Sequence, residues 1–168
     1  MSRPGLLYFA YGCNMDPEFL ARVVGLTLER GWAARLDGWR LAFNKGGEGD
    51  EGDSVVANLV PDARCCAYGV VYRLPTDALA VLDAFERVPE HYRRDALWVE
   101  PCGRYARQAA LAYLAQPSWI TEEGTPDPEY LEVLLRGSAR HGHPAAYVNW
   151  IRSLARGQAR EPYRAGAG

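Results

Sequence analysis

Glu86 is the residue best suited to chemistry in this sequence. Leu79, Leu82 and Glu86 stand at i, i+3 and i+7, so they share one face of a helix read over about Thr76 to Val88. Val81, Phe85 and Val88 widen that apolar stripe. A carboxylate on such a stripe is costly to bury unless it is paired or neutral. Burial alone raises its pKa toward values useful for proton transfer near neutral pH. The same pattern fits an ordinary salt bridge to Arg87, Arg93 or Arg94 at the edge of the stripe. The residues by themselves leave both readings open.

A second feature is the loop Tyr11-Gly12-Cys13-Asn14. Gly12 permits close backbone approach, and Asn14 brings both a donor and an acceptor. A loop between strand and helix can hold a carboxylate through backbone N–H groups. An ordinary helix-capping turn is the competing reading. Cys13 adds a rival chemistry, that of a cysteine amidase, because a thiolate at a helix N-terminus can have a lowered pKa. Such an enzyme needs a base, and His91, His141 and His143 are the available imidazoles. His141-x-His143 sits at a helix break without an obvious third ligand, so it reads as exposed polar surface rather than a metal site. The stretch Gly46–Asp53 is acidic and glycine-rich and reads as a mobile loop. It lacks the ordered spacing of a calcium-binding EF-hand.

Several elements must position these residues. Leu6 to Tyr11 is a short apolar and aromatic run suited to a buried strand. Asp16-Pro17-Glu18 then reads as a helix start, with Asp16 as cap, and Gly25 as its stop. Further strand candidates are Gly31–Leu36, Arg40–Asn44, Ser54–Val60, Ala67–Leu74, Leu97–Glu100 and Arg107–Leu114. Many short strands with glycine, proline and aspartate breaks indicate a barrel or strongly curved sheet. Asp127-Pro128-Glu129 repeats the cap signal ahead of a stripe of Tyr130, Leu131, Leu134 and Leu135. After a break at Gly142-His143-Pro144, a last helix runs to about Arg156 with Tyr147, Val148, Ile151 and Leu154 inward. From Gly157 the pattern is lost, so the tail 157–168 is expected to be poorly ordered.

Composition sets the frame. The chain has 168 residues, 48% hydrophobic and 24% charged, with a formal net charge of −2. That length suggests one domain over 1–168, with an ordered core over about 5–156. The near-neutral balance gives no general attraction to nucleic acid or membrane, so neither partner is expected. No apolar run approaches the roughly 20 residues of a spanning helix. Met1 to Gly5 leads straight into a strand-like segment without a signal core, which points to the cytoplasm. Cys13, Cys65, Cys66 and Cys102 form no C-x-x-C pair, and Cys65 and Cys66 are adjacent. They read as reduced, mostly buried thiols. A homodimer is compatible with the sequence but not read from it.

Tyr8-Phe9-Ala10-Tyr11-Gly12-Cys13-Asn14-Met15 resembles the Y-F-A-Y-G-S-N-M opening of the gamma-glutamylcyclotransferase-like proteins. The likeness continues at Leu41-Ala42-Phe43-Asn44-Lys45, Ala57-Asn58-Leu59 and Tyr68-Gly69-Val70-Val71-Tyr72. Leu82-Asp83-Ala84-Phe85-Glu86-Arg87-Val88 with Tyr92 resembles the family's L-D-x-x-E-G-V-x-x-x-Y segment. Asp127-Pro128-Glu129-Tyr130 resembles its P-x-x-Y helix start. The match runs in order from about residue 6 to 155.

The resemblance implies an α+β fold, a small mixed β-barrel with surrounding helices and a cavity at one end. It implies cleavage of a gamma-glutamyl amide by attack of the substrate's own α-amine, which releases 5-oxoproline and an amine or amino acid without cofactor or metal. Glu86 would transfer the protons. Tyr8, Phe9, Ala10, Tyr11, Gly12, Cys13 and Asn14 would bind the glutamyl half, Tyr130 would close the pocket and Tyr92 would line its wall. Cys13 stands where the family has Ser, and Arg87 where Gly is common. The leaving group remains open among amino acids, amines, a lysine isopeptide and protected metabolites. A non-catalytic binding module of the same fold remains the alternative.

Overall fold

The apolar run near the start becomes β1 (Leu6–Ala10), buried at its last three residues because both faces meet the interior. A computed structural model describes residues 5–47, 54–103, 106–164 and 166. β1 lies antiparallel to β3 (Val55–Leu74) in the register Leu6–Leu74 to Ala10–Val70. β3 pairs along its length with β2 (Trp32–Gly46). β2 touches β4 (Tyr92–Pro101), which pairs with β5 (Gln108–Ala115), and β5 returns to β1 in parallel at Tyr8–Leu111. The result is a closed barrel in the order β1-β3-β2-β4-β5.

Two pairs of expected strands prove to be single long ones. Gly31–Leu36 and Arg40–Asn44 join as β2, and Ser54–Val60 and Ala67–Leu74 join as β3. The breaks between them are irregularities in register, not ends. One falls between Asp37 and Trp39, where Gly38 takes φ +81, open to glycine at no steric cost. The expected loop Gly46–Asp53 lies outside the described residues except for its first two. Gly46 ends β2, and the Gly47 N–H donates to the Ser54 carbonyl at 2.7 Å.

Helices wrap the barrel where their caps predict. Asp16 accepts from the Glu18 N–H and opens α1 (Pro17–Phe19), which continues as a π-helical turn over Leu20–Val24. Gly25 ends it at φ +83. Asp127 accepts from the N–H groups of Glu129 and Tyr130 and opens α3 (Pro128–Arg140). α2 (Ala78–Phe85) is shorter than expected. Thr76 does not cap it, and Glu86 is its C-terminal cap rather than an interior residue. α4 (Ala145–Ala155) buries Tyr147, Val148 and Ile151 as expected. None of the described helices is long and apolar enough to cross a membrane.

Two surface expectations are corrected. His143 is buried at 6% exposure. Its Nε2–H donates to the Gly69 carbonyl at 2.9 Å, and Nδ1 accepts from the Ser138 hydroxyl at 2.8 Å, tying the α3–α4 corner to β3. His141 is only half-exposed, its Nδ1 2.8 Å from the Gly137 carbonyl. The tail is docked as far as Tyr163, whose ring packs on Tyr68, Tyr147 and Trp150. Its carbonyl accepts the Cys66 N–H at 3.3 Å. The aromatic anchor, invisible to any helical or strand period, supplies the order there. Cys13, Cys65 and Cys66 are buried and Cys102 is exposed.

Candidate active site

The chain leaves β1 at Ala10 and turns through a 3-10 turn, Cys13–Met15, before α1. The turn is gripped from behind. Gly137 on α3 approaches so closely that an added Cβ would meet the Asp16 nitrogen at 2.7 Å. Tyr72 donates to the Met15 carbonyl at 2.8 Å, and the buried Asp16 carboxylate receives Arg136 and Arg140. These contacts hold Gly12, Cys13 and Asn14 against a cavity of about 280 Å³ at one end of the barrel.

Glu86 enters that cavity from α2. Leu82, fully buried, sets the helix against the barrel. Asp83 accepts from the Tyr113 hydroxyl at 2.8 Å and fixes its rotation. The helix ends at Glu86, and Arg87 turns the chain away at φ +51. In that left-handed conformation a side chain is strained by roughly 1–2 kcal/mol, which a glycine would avoid.

Asn14 Nδ2 donates to Glu86 Oε1 and to the Tyr8 hydroxyl, each at 2.9 Å. Burial pushes the Glu86 carboxyl up to about 7, against the pull of the Asn14 hydrogen bond and the Lys45 charge. A carboxyl so poised can both take and return a proton near neutral pH. Around it stand tyrosines kept neutral chiefly by burial. Tyr8, Tyr11, Tyr92 and Tyr130 are all raised well above the usual phenol value. The Tyr130 hydroxyl accepts the Ala57 N–H at 2.9 Å, which leaves its own proton to donate toward a ligand. Tyr92 donates to the Ala57 carbonyl at 3.3 Å, and Tyr11 to the Tyr113 carbonyl.

Of the residues singled out in the sequence, Glu86, Tyr8, Tyr11, Gly12, Cys13, Asn14, Tyr92 and Tyr130 line this cavity together. Phe9 and Ala10 do not. They lie in the core with exposures of 0% and 1%, packed beneath the loop. The strand period explains this in part, since Phe9 faces away from Tyr8. The cavity also includes Phe19, Lys45, Phe85 and Tyr113, none of which the sequence reading assigned to the site, and His91, which it considered only as a base for Cys13. Lys45 and Tyr113 reach it from β2 and β5.

Cys13 is a poor nucleophile here. Burial pushes its thiol up to about 12, and Sγ lies 3.4 Å from the Tyr130 carbonyl. His143 is engaged with the Gly69 carbonyl and His141 with the Gly137 carbonyl. The cysteine-amidase reading therefore loses its reactive thiolate.

Comparisons with known proteins agree with the fold. A family model described as the AIG2-like family matches residues 67–151, just over half of the chain. The chain belongs to the AIG2-like family. A solved structure named gamma-glutamyl cyclotransferase superimposes on this AIG2-like protein with a TM-score of 0.78 at 22% identity. It covers 89% of this chain and 87% of its own. YkqA from Bacillus subtilis gives a TM-score of 0.76 at 26% identity over 96% of this chain and 56% of its own. A yeast gamma-glutamyl cyclotransferase specific to glutathione gives 0.67 at 13% identity over 94% and 98%. These likenesses establish a gamma-glutamyl cyclotransferase-like fold. No curated protein matches the sequence.

Proposed function

We propose that this AIG2-like protein cleaves a gamma-glutamyl amide by cyclisation, with Glu86 as its proton-transfer group. One observation carries the reading: a carboxyl with a pKa near 7 is held by Asn14 inside a tyrosine-lined cavity. The substrate's α-ammonium loses a proton to the Glu86 carboxylate, and the freed amine attacks the γ-carbonyl carbon. As the tetrahedral carbon collapses and the amide C–N bond breaks, Glu86 returns that proton to the departing nitrogen, and the attacking nitrogen's second proton follows through the same carboxylate, so the lactam keeps one N–H and the amine leaves as an ammonium. The products are 5-oxoproline and a free amine or amino acid, and Glu86 ends as it began.

Both reacting groups belong to one molecule, so the protein has mainly to fold it. Holding such groups in attack geometry can supply roughly 7–11 kcal/mol of the barrier. The N–H groups at the start of the Cys13–Met15 turn have no partner within the turn itself, as at any helix start. They are suited to the glutamyl α-carboxylate and to the developing oxyanion. Gly12 allows that approach, since a Cβ there would stand 3.2 Å from the Tyr130 hydroxyl. Tyr130 donates from the opposite wall.

The test is release of 5-oxoproline from gamma-glutamyl-alanine, gamma-glutamyl-lysine isopeptide and a gamma-glutamyl alkylamine, by wild type and Glu86→Gln. Release that falls at least a thousandfold in Glu86→Gln supports the reading. Free glutamate as product, or near-normal turnover by Glu86→Gln, rejects it. Binding of 5-oxoproline without turnover of any substrate would favour a non-catalytic binding module of this fold.

A further inference from the structure

Lys45 is the chain's one lysine among 19 Lys and Arg residues. It sits near the end of β2, where the register with β3 slips between Phe43–Ala57 and Lys45–Val56. Such a bulge re-aims a side chain, and here it accompanies five consecutive buried residues, 41–45, in place of strict alternation. Lys45 is 5% exposed and lines the cavity.

Its ammonium has unusual company. Nζ donates to His91 Nδ1 at 3.0 Å and stands over the rings of Tyr92 and Trp119, at 5.2 and 4.8 Å from their centroids. The Trp119 ring is itself stacked on His91 with centroids 3.7 Å apart. These partners satisfy a donor and a charge in part, but none is an anion. Among the described residues no carboxylate lies within ion-pair distance of Nζ. Burial lowers the Lys45 pKa, the Glu86 charge draws it up and Arg87 adds a second positive charge nearby. Glu86 acts on this ammonium only through space, so Nζ has no anion in contact, and a buried ammonium so placed is suited to receive one from a ligand.

We propose that Lys45 receives a carboxylate on the leaving half of the substrate. This rests on the cyclotransferase reading and narrows its substrate class to gamma-glutamyl amino acids and peptides with a free carboxylate within reach, over gamma-glutamyl amines. The placement of elements supports the assignment. Asn14 meets Glu86 from the loop that would hold the glutamyl α-carboxylate. The turn after Glu86 leads instead through Arg87, whose carbonyl accepts the His91 N–H at 2.9 Å, to the His91–Lys45 contact. The reacting carbon belongs beside Glu86, so the two halves of the substrate extend toward different receptors. A lysine suits the second receptor because its charge is compact and its donors rotate freely on a flexible stem between the two rings.

The experiment compares 5-oxoproline release from gamma-glutamyl-alanine and gamma-glutamyl-alaninamide, which differ only in that carboxylate. Wild type is expected to favour the acid by about 10- to 100-fold in kcat/KM, the scale of a charge-assisted hydrogen bond. Lys45→Met should bring the ratio to within about threefold of unity, and Lys45→Arg should keep part of the preference. If Lys45 serves only to tune Glu86, to hold the α-carboxylate or to pack, both substrates lose equally and the unchanged ratio overturns the proposal. Calorimetric binding of the same two compounds to wild type and Lys45→Met makes the test independent of turnover. Failure to release 5-oxoproline counts against the cyclotransferase reading alone. A carboxylate preference in binding that Lys45→Met abolishes still supports the Lys45 receptor. Equal binding of acid and amide by wild type, or binding of neither, overturns it.

Discussion

The Asn14 side-chain amide stands 2.9 Å from the Glu86 carboxylate across 72 residues of chain, and it favours the charged form of that acid. Asn14→Leu removes the donor while keeping the volume. The Glu86 pKa should then climb by about one unit, the worth of one hydrogen bond to a charged group. Attack requires the carboxylate, so the acid limb of the kcat/KM profile should move to higher pH by the same amount. A pH series of 5-oxoproline release from pH 5 to 9 measures it. An unmoved limb would mean that Asn14 does not set the charge of Glu86.

Glu86 also has a stability signature of definite sign. Its folded pKa, about 7, is raised above the ordinary carboxyl value of 4.5, so the folded state binds more protons between those values. Its favourable contribution is complete below about 4.5 and is lost as pH rises through 7. Glu86→Gln, neutral throughout, should therefore be the more stable protein above pH 7, by about 2 kcal/mol after allowance for a partly exposed carboxyl. The two proteins should converge near pH 4.5. Urea unfolding at pH 5 and pH 8 checks both halves of this expectation.

His143 acts in the opposite sense. Burial lowers its pKa from 6.5 to about 4, so the unfolded chain takes up a proton first as pH falls. The stability it lends is complete above about 6.5 and is lost progressively toward pH 4, by at most about 3 kcal/mol. His143→Gln should show a flatter dependence of unfolding free energy on pH between 7 and 4. A slope equal to that of wild type would place the acid sensitivity elsewhere.

Cys13→Ser separates a buried wall residue from a nucleophile. The hydroxyl can donate to the Tyr130 carbonyl as the thiol does, at 3.4 Å in wild type. Turnover of gamma-glutamyl-alanine should stay within about threefold of wild type, whereas loss of a true nucleophile costs several orders of magnitude. Steady-state rates on the two proteins decide it.

Much of this arrangement was legible in the residues. The caps at Asp16 and Asp127, the stop at Gly25 and the inward face of α4 follow from local chemistry, and the structure agrees. Strand positions were legible, but strand continuity was not. A glycine break such as Gly38 looks the same whether a strand ends or bends. Glu86 was placed correctly in space and misplaced by a turn in the helix, because an apolar period cannot show where the last backbone hydrogen bond falls. Lys45 escaped because a lysine before a glycine-rich acidic run reads as a solvated strand end. Its signal was compositional: one lysine in a chain whose other side-chain cations of that class are all arginine. Tyr113 and Phe19 gave no signal, since a tyrosine or phenylalanine on an apolar face more commonly packs in the core.

The barrel closes at a thin seam. β1 is registered with β3 through five residue pairs but with β5 through Tyr8–Leu111 alone. Amide exchange enters a sheet most readily where the ladder is shortest. Here that point lies on the strand that carries Tyr8 and delivers the 11–14 loop. Opening of the sheet at this seam would loosen the same strand from which the 11–14 loop departs, so the wall of the cavity and the closure of the barrel depend on one short ladder.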